Sequence, residues 1–257
     1  MSAFIIRASA LSQIMGKPRD SGGLTVKQAE DLAKLQAKEK RTEKQTETMQ
    51  ALIIKRDTPE GLSATAKTYC REDYKYKSLN RVPDQIESKY LEKGNRCEGQ
   101  AINLLNSLYL ENYSKHEGRI TTDYMTGECD ILAPPIIRDT KCSYSIKTFP
   151  CIGDKLKEEY YYQMQAYLIL YDCEVGYVDF CLVDTPPDII EKEAYWRAKK
   201  NHLDFEEVLE DETRKHTYGD IPIEKRVMSF EVIKDNNIEK RIIEKVIACR
   251  KYKGVEL

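Results

Sequence analysis

The sequence predicts a mixed α/β domain, a central mixed β-sheet flanked by helices, with helical additions at both ends. Three observations carry this. Short strand-like runs cluster between residues 120 and 142, broken by Thr126-Gly127 and Pro134-Pro135. Amphipathic helical stretches lie on both sides of that cluster. Two further alternating runs, Glu174–Asp184 and Arg226–Lys234, follow the second helical stretch.

From the N-terminus, Phe4–Met15 reads as a short helix with Ser9 as its cap, ended by Gly16 and Pro18. Leu24–Ile54 is charge-rich, with Thr25 as a cap and Val26, Ala29, Leu32, Ala33 and Leu35 as one apolar stripe. The stripe stops at Lys38 and resumes at Met49, so a long helix or helical hairpin is expected rather than a coiled coil. Thr58-Pro59-Glu60-Gly61 breaks the chain, and a short helix capped by Ser63 follows over Leu62–Tyr74. A long helix is expected from Asp84, paired with Glu87 as a capping box, to about Asn112. Its inward stripe contains Ile86, Tyr90, Leu91, Gly94, Glu98, Ala101, Ile102, Leu105, Leu108 and Tyr109. Glu98 is out of place there, since a buried carboxylate needs a partner.

Strands are expected over Ile120–Met125, Glu128–Leu132 and Ile136–Cys142. Side chains alternate along a strand, so Asp139 and Lys141 share a face, with Arg138, Thr140 and Cys142 on the other. Asp130 can lie across from them on the neighbouring strand. After a loop over Lys147–Gly153, Asp154–Asp172 is a helix buried on two sides, with Gln163 and Tyr167 one turn apart. A buried Gln needs partners for its amide, and a backbone carbonyl is the plain candidate. Asp188–Arg214 reads as one long charged helix, Asp235-Asn236-Asn237 as a turn, and Ile238–Tyr252 as a closing amphipathic helix. One domain over residues 1–257 is the economical division. A charged arm occupies 24–57, a core 84–184, and a helix–strand–helix addition 188–257.

Bulk properties narrow the function classes. The 257 residues carry 41 Lys and Arg against 43 Asp and Glu, a formal net charge of −2, so no global basic field announces a nucleic-acid partner. No run approaches a membrane span and the N-terminus has no signal-peptide apolar stretch, so a cytoplasmic protein without a membrane partner is expected. The eight cysteines include no C-x-x-C pair, and the three histidines sit beside no cysteine pair. Free thiols are expected and structural zinc is not.

Glu98, Asp130, Asp139, Lys141, Gln163 and Tyr167 make sense together. Each has an ordinary structural explanation alone; D-x-K in particular is common by chance. As a set they place two or three carboxylates beside an ammonium, a donor set suited to a hard cation such as Mg²⁺ or Mn²⁺. The ion keeps both aspartates ionised and stabilises charge on a phosphodiester under attack. Lys141 can orient or deprotonate the attacking water. Glu98 allows a second metal, and the Thr140 carbonyl is a further ligand candidate.

The motifs Gly94-x-x-x-Glu98, Gly127-Glu128-Cys129-Asp130, Asp139-Thr140-Lys141 and Gln163-x-x-x-Tyr167 resemble those of the PD-(D/E)XK nuclease superfamily, in its RecB-like and lambda-exonuclease-like (YqaJ-type viral recombinase) branch. The opening Arg7-Ala8-Ser9-Ala10-Leu11-Ser12-Gln13-Ile14-Met15-Gly16 is similar to that of phage exonucleases. The third motif has Asp where Glu is commoner, and the segments at 25–55 and 188–218 have no counterpart. The resemblance implies a restriction-endonuclease-like core and Mg²⁺-dependent cleavage of DNA, in this branch usually 5′→3′ digestion of linear duplex for phage recombination. It also implies a host-cytoplasmic location, a ring-shaped trimer and a single-strand-annealing partner. Arg7, Ser9 and Ser143 become candidates for contacting duplex or single-stranded DNA. A structure-specific endonuclease of the same fold and a non-catalytic DNA-binding protein are the alternatives. An iron–sulfur relative would need a cysteine cluster near the C-terminus, where only Cys249 lies beyond Cys181.

Overall fold

The computed structural model describes residues 4–18, 24–57, 61–84 and 88–255. The chain forms two compact units. One contains residues 5–11 and 83–239, the other residue 4, residues 12–82 and residues 240–255.

In the second unit, α1 (Ser12–Met15) packs on α4 (Ala64–Ser78), and α2 (Val26–Gln36) pairs with α3 (Glu43–Asp57). The charged stretch is therefore a hairpin. Thr25 and Gln28 cap α2 reciprocally, Thr25 Oγ1 accepting from the Gln28 amide at 3.2 Å. The chain turns where the apolar stripe lapses, and Arg41 donates there to the carbonyls of Leu35 and Gln36. Ser63 caps α4 through the Ala66 amide at 3.1 Å. The last helix, α9 (Asn236–Val255), joins this unit, Lys245 Nζ donating to the Gly61 carbonyl at 2.8 Å.

The first unit holds two sheets. β1 (Ile6–Arg7) runs parallel to β3 (Met125–Gly127), and β2 (Ile120–Thr121) pairs antiparallel with β3. The larger sheet has the order β4 (Ile131–Ala133), β5 (Ile136–Cys142), β6 (Val175–Cys181), β7 (Val227–Ile233). β5 and β6 are parallel and the two outer pairs antiparallel. The parallel pair requires a crossover, supplied by α6 (Glu158–Leu170). α5 (Lys89–Tyr109) packs on β5, burying Cys97, Ala101, Ile102, Leu104 and Leu105 against Ile131, Cys181 and Val183.

Several boundaries differ from the sequence reading. The expected turn at Thr126-Gly127 falls instead at residues 122–124. Thr122 Oγ1 accepts there from the amides of Tyr124 and Met125, so Thr126 and Gly127 are strand. Ser9 lies inside a 3₁₀ turn, Ala8–Ala10, and caps nothing. α5 starts at Ser88, whose Oγ accepts from the Leu91 amide at 3.2 Å, and ends at Leu110 in the left-handed region (φ 56°). The Asp84/Glu87 capping box and Ile86 fall outside the described residues. Tyr90 and Leu91, expected to point inward, are exposed. The long helix over Asp188–Arg214 is two helices, α7 (Pro187–Asn201) and α8 (Phe205–His216). His202 turns the chain with φ 54°, and Asp204 caps α8 through the Glu207 amide at 3.1 Å. Helical periodicity alone misses this break because Ala194, Ala198, Val208, Phe205 and Leu209 form one apolar seam between the two helices.

Candidate active site

β5 keeps the bounds read from the sequence, and its alternation sets the site. Arg138 leaves one face and donates to both oxygens of the Asp179 carboxylate, at 2.9 and 2.8 Å. Asp139 and Lys141 leave the other face, Lys141 Nζ lying 2.6 Å from Asp139 Oδ2. Ile131 pairs with Arg138, so Asp130, just before β4, stands beside Asp139. Asp130 Oδ2 accepts from the Thr140 amide at 2.6 Å and from Thr140 Oγ1 at 2.8 Å.

α6 supplies the third side. Gln163 Nε2 donates to Tyr167 Oη at 2.8 Å and reaches Asp139 Oδ1 at 3.5 Å. The amide is satisfied by these two side chains, not by a backbone carbonyl. The i, i+4 spacing is what lets both side chains face β5. Glu98 arrives from α5, and its Oε2 accepts from Lys115 Nζ at 2.8 Å. Glu98, Asp130, Asp139, Lys141, Gln163 and Tyr167, with Ser143, line one cavity of about 890 Å³. Glu98 is thus on the cavity wall, its charge paired with Lys115.

Burial first, and the negative charge of Asp139 second, push the Asp130 carboxyl up to about 7. Burial would lower the Lys141 ammonium, but the charge and hydrogen bond of Asp139 outweigh it and hold Lys141 above the ordinary lysine range. Lys141 accordingly stays an ammonium held against Asp139. Burial raises the Tyr167 hydroxyl far beyond neutral pH, so it stays protonated.

The donor set fits a hard divalent ion. Two crowded carboxylates, one reluctant to ionise beside the other, lose that penalty when a cation lies between them. Both hydrogen bonds to the Asp130 carboxylate fall on Oδ2. Among the described residues no three Asp, Glu, His or Cys groups are already gathered as a metal centre. Glu98 and Asp139 each hold an ion pair to a lysine instead.

Ser143 is buried on the cavity wall, and its Oγ has no hydrogen-bond partner among the described residues. Arg7 and Ser9 are not in this cavity. They line a separate recess with Arg119 and Glu128, and Tyr167 forms part of both walls. The sequence reading overlooked two groups. Lys93 is fully buried under the site, its Nζ donating to the Tyr144 carbonyl at 3.1 Å. Its signal was its spacing, one turn before Cys97 and two before Ala101 on the buried face of α5. Lys115 carried no signal, because it reaches Glu98 from a loop 17 residues away.

No protein-family model matches the sequence, nor does any curated protein. Solved structures do match. The mixed α/β fold, with its two mixed sheets, is one found in solved exonuclease structures. In particular, the chain is similar to a phage related exonuclease from Haemophilus somnus 129PT, 26% identical with a TM-score of 0.66, over 98% of this chain and 94% of that one. It also shares the fold of an alkaline exonuclease, LHK-Exo, from Laribacter hongkongensis. That match is 14% identical with a TM-score of 0.52, over 98% of this chain and 89% of that one.

Proposed function

We propose that the protein is a DNA exonuclease that hydrolyses phosphodiester bonds of linear DNA with Mg²⁺ or Mn²⁺, in the 5′→3′ direction, in phage-type recombination or DNA processing. One observation carries the reading: Asp130, Asp139, Lys141 and Gln163 meet on the wall of one cavity in a fold shared with exonucleases. Asp130 and Asp139 are the ligands assigned to the cation, with Glu98 and the Thr140 carbonyl completing the set. When bound, the ion neutralises phosphate charge and makes water a better nucleophile.

The chain's own groups do the rest. Lys141, an ammonium fixed by Asp139, orients the attacking water and offsets negative charge growing on the phosphate. Gln163 restrains Asp139 from the α6 side, and Tyr167 holds Gln163. Ser143 Oγ, lacking a partner on the wall, offers a hydrogen bond to the DNA backbone. Arg7 and Ser9, in the adjoining recess, are assigned to the DNA end.

The test uses end-labelled linear duplex and closed circular duplex with Mg²⁺, with and without a chelator. Linear DNA is expected to release 5′ nucleotides first, the circle to stay intact, and the chelator to stop the reaction. Nicking of the circle would replace this reading by an endonuclease. Asp139→Asn and Lys141→Ala should each lower turnover by ~10²- to 10³-fold or more with unchanged far-UV circular dichroism. Near-normal turnover in either variant would refute the site assignment.

A further inference from the structure

We propose that Tyr195, Trp196 and Lys199 on α7 form a stacking platform for single-stranded DNA beside the cavity. This rests on reading the cavity as a DNA exonuclease site. α7 supplies none of the side chains assigned to the proposed active site.

Trp196 is 64% exposed and Tyr195 51%, two large rings left in solvent on one helix. Their centroids are 5.5 Å apart with the planes at 75°. Lys199 Nζ lies 5.7 Å from the Tyr195 ring and 5.5 Å from the Trp196 ring. Rings with adjacent cations are what successive bases and their phosphates require, without regard to base identity. A duplex does not fit, because its base faces are already stacked on one another.

The location follows from contacts between α7 and α5. Asp188 accepts from Arg96 at 2.7 and 2.8 Å, Glu193 from Lys89 at 2.7 Å, and Lys192 lies 3.6 Å from Glu92. Tyr90, Leu91, Gly94 and Asn95, interleaved with these α5 residues, line the cavity. Lys192, Trp196 and Lys199 follow one another at helical spacing on the same face. The platform thus continues outward from the cavity rim.

Charge decides between nucleic acid and protein as the occupant. The α5 contacts neutralise Asp188 and Glu193. Lys199 and Lys200 have no ion pair among the described residues, against one exposed acid, Glu191, a turn before Tyr195. The acids of α8 lie across the seam of Ala194 and Ala198, where Arg197 meets Asp211 and Glu212. The exposed face is therefore cationic and aromatic, which suits a polyphosphate strand.

Trp196 is the single tryptophan of the chain, so intrinsic emission reports this position alone. The full protein, kept in a chelator to prevent cleavage, is titrated with single-stranded oligothymidylate. Saturable quenching that weakens with added salt is expected. Trp196→Ala should lower affinity for that strand by about 5- to 100-fold, and Trp196→Phe should restore most of it. Unchanged emission while anisotropy shows the strand bound overturns the proposal, as does failure to bind the strand at all. Emission that changes with protein concentration alone, without DNA, would show a second copy covering the face, and would also overturn it. The titration does not depend on cleavage, so it is separate from the circular-duplex and Asp139→Asn tests of the active-site reading.

Discussion

Lys93 shows what a single side chain can cost where the fold requires it. It is fully buried in α5 beneath the cavity, between the rings of Tyr144 and Tyr218, with the Tyr144 carbonyl as acceptor. Burial pushes its ammonium down to about 8 from an ordinary 10.5. The unfolded chain therefore binds the extra proton between these two values. The linkage sign is positive: stability gains as pH rises from about 8 toward 10.5, and the burial cost is fully present below pH 8. The shift corresponds to about 3 kcal/mol. Urea unfolding of wild type and Lys93→Met at pH 7 and pH 10 checks this. Wild type should gain on the variant between the two values by ~1–3 kcal/mol, and parallel behaviour would contradict the assignment. Arg138 illustrates the opposite arrangement. Its charge is buried, but Asp179 takes both hydrogen bonds and Ser229 supports Asp179 at 2.5 Å.

At the scale of elements, the close approach of β3, the Ala8–Ala10 turn and α6 fixes the Tyr167 side of the site. Gly127 is where they meet. A Cβ there would stand 2.9 Å from Ala8 Cβ, 2.9 Å from Tyr167 Cε1 and 3.0 Å from Leu170 Cδ1. The Ala8 contact can yield only if the backbone shifts, so Gly127→Ala should destabilise by ~1–3 kcal/mol. It should also displace Tyr167, and through it Gln163, lowering turnover more than the stability loss explains. Urea melts paired with single-turnover rates on linear DNA separate the two effects. Wild-type stability and rate in the variant would show that β3 does not set the position of α6. The sheet register has the same consequence on a larger scale. The pairing of Ile131 with Arg138 is what brings Asp130 beside Asp139, and a slip by one residue would send the Asp139 and Lys141 side chains to the opposite face.

Over the whole molecule, a net charge of −2 leaves no global basic field, so the proposed DNA substrate would be met by local clusters of Lys and Arg. Binding should still be phosphate-dominated, so the logarithm of duplex affinity should fall linearly with the logarithm of salt concentration. Anisotropy titrations at several salt concentrations measure the slope, and a slope near zero would leave the proposed DNA contacts without support. No helix among the described residues is long and apolar enough to cross a membrane.

The sequence by itself determined β5, the Asp139/Lys141 face and the Gln163/Tyr167 turn of α6. Those features depend on local periodicity: two residues per strand repeat, about four per helical turn. It also gave the caps Thr25 and Ser63, where one side chain meets a backbone amide three residues on. Only the tertiary structure decided that Lys115 answers Glu98, that Lys93 is buried under the site and that Arg7 and Ser9 occupy a separate recess. It also decided that one charged helix is two. In each case the partner is distant in sequence or the break is masked by a shared apolar seam, and local patterning contains no information about which distant groups a fold will press together.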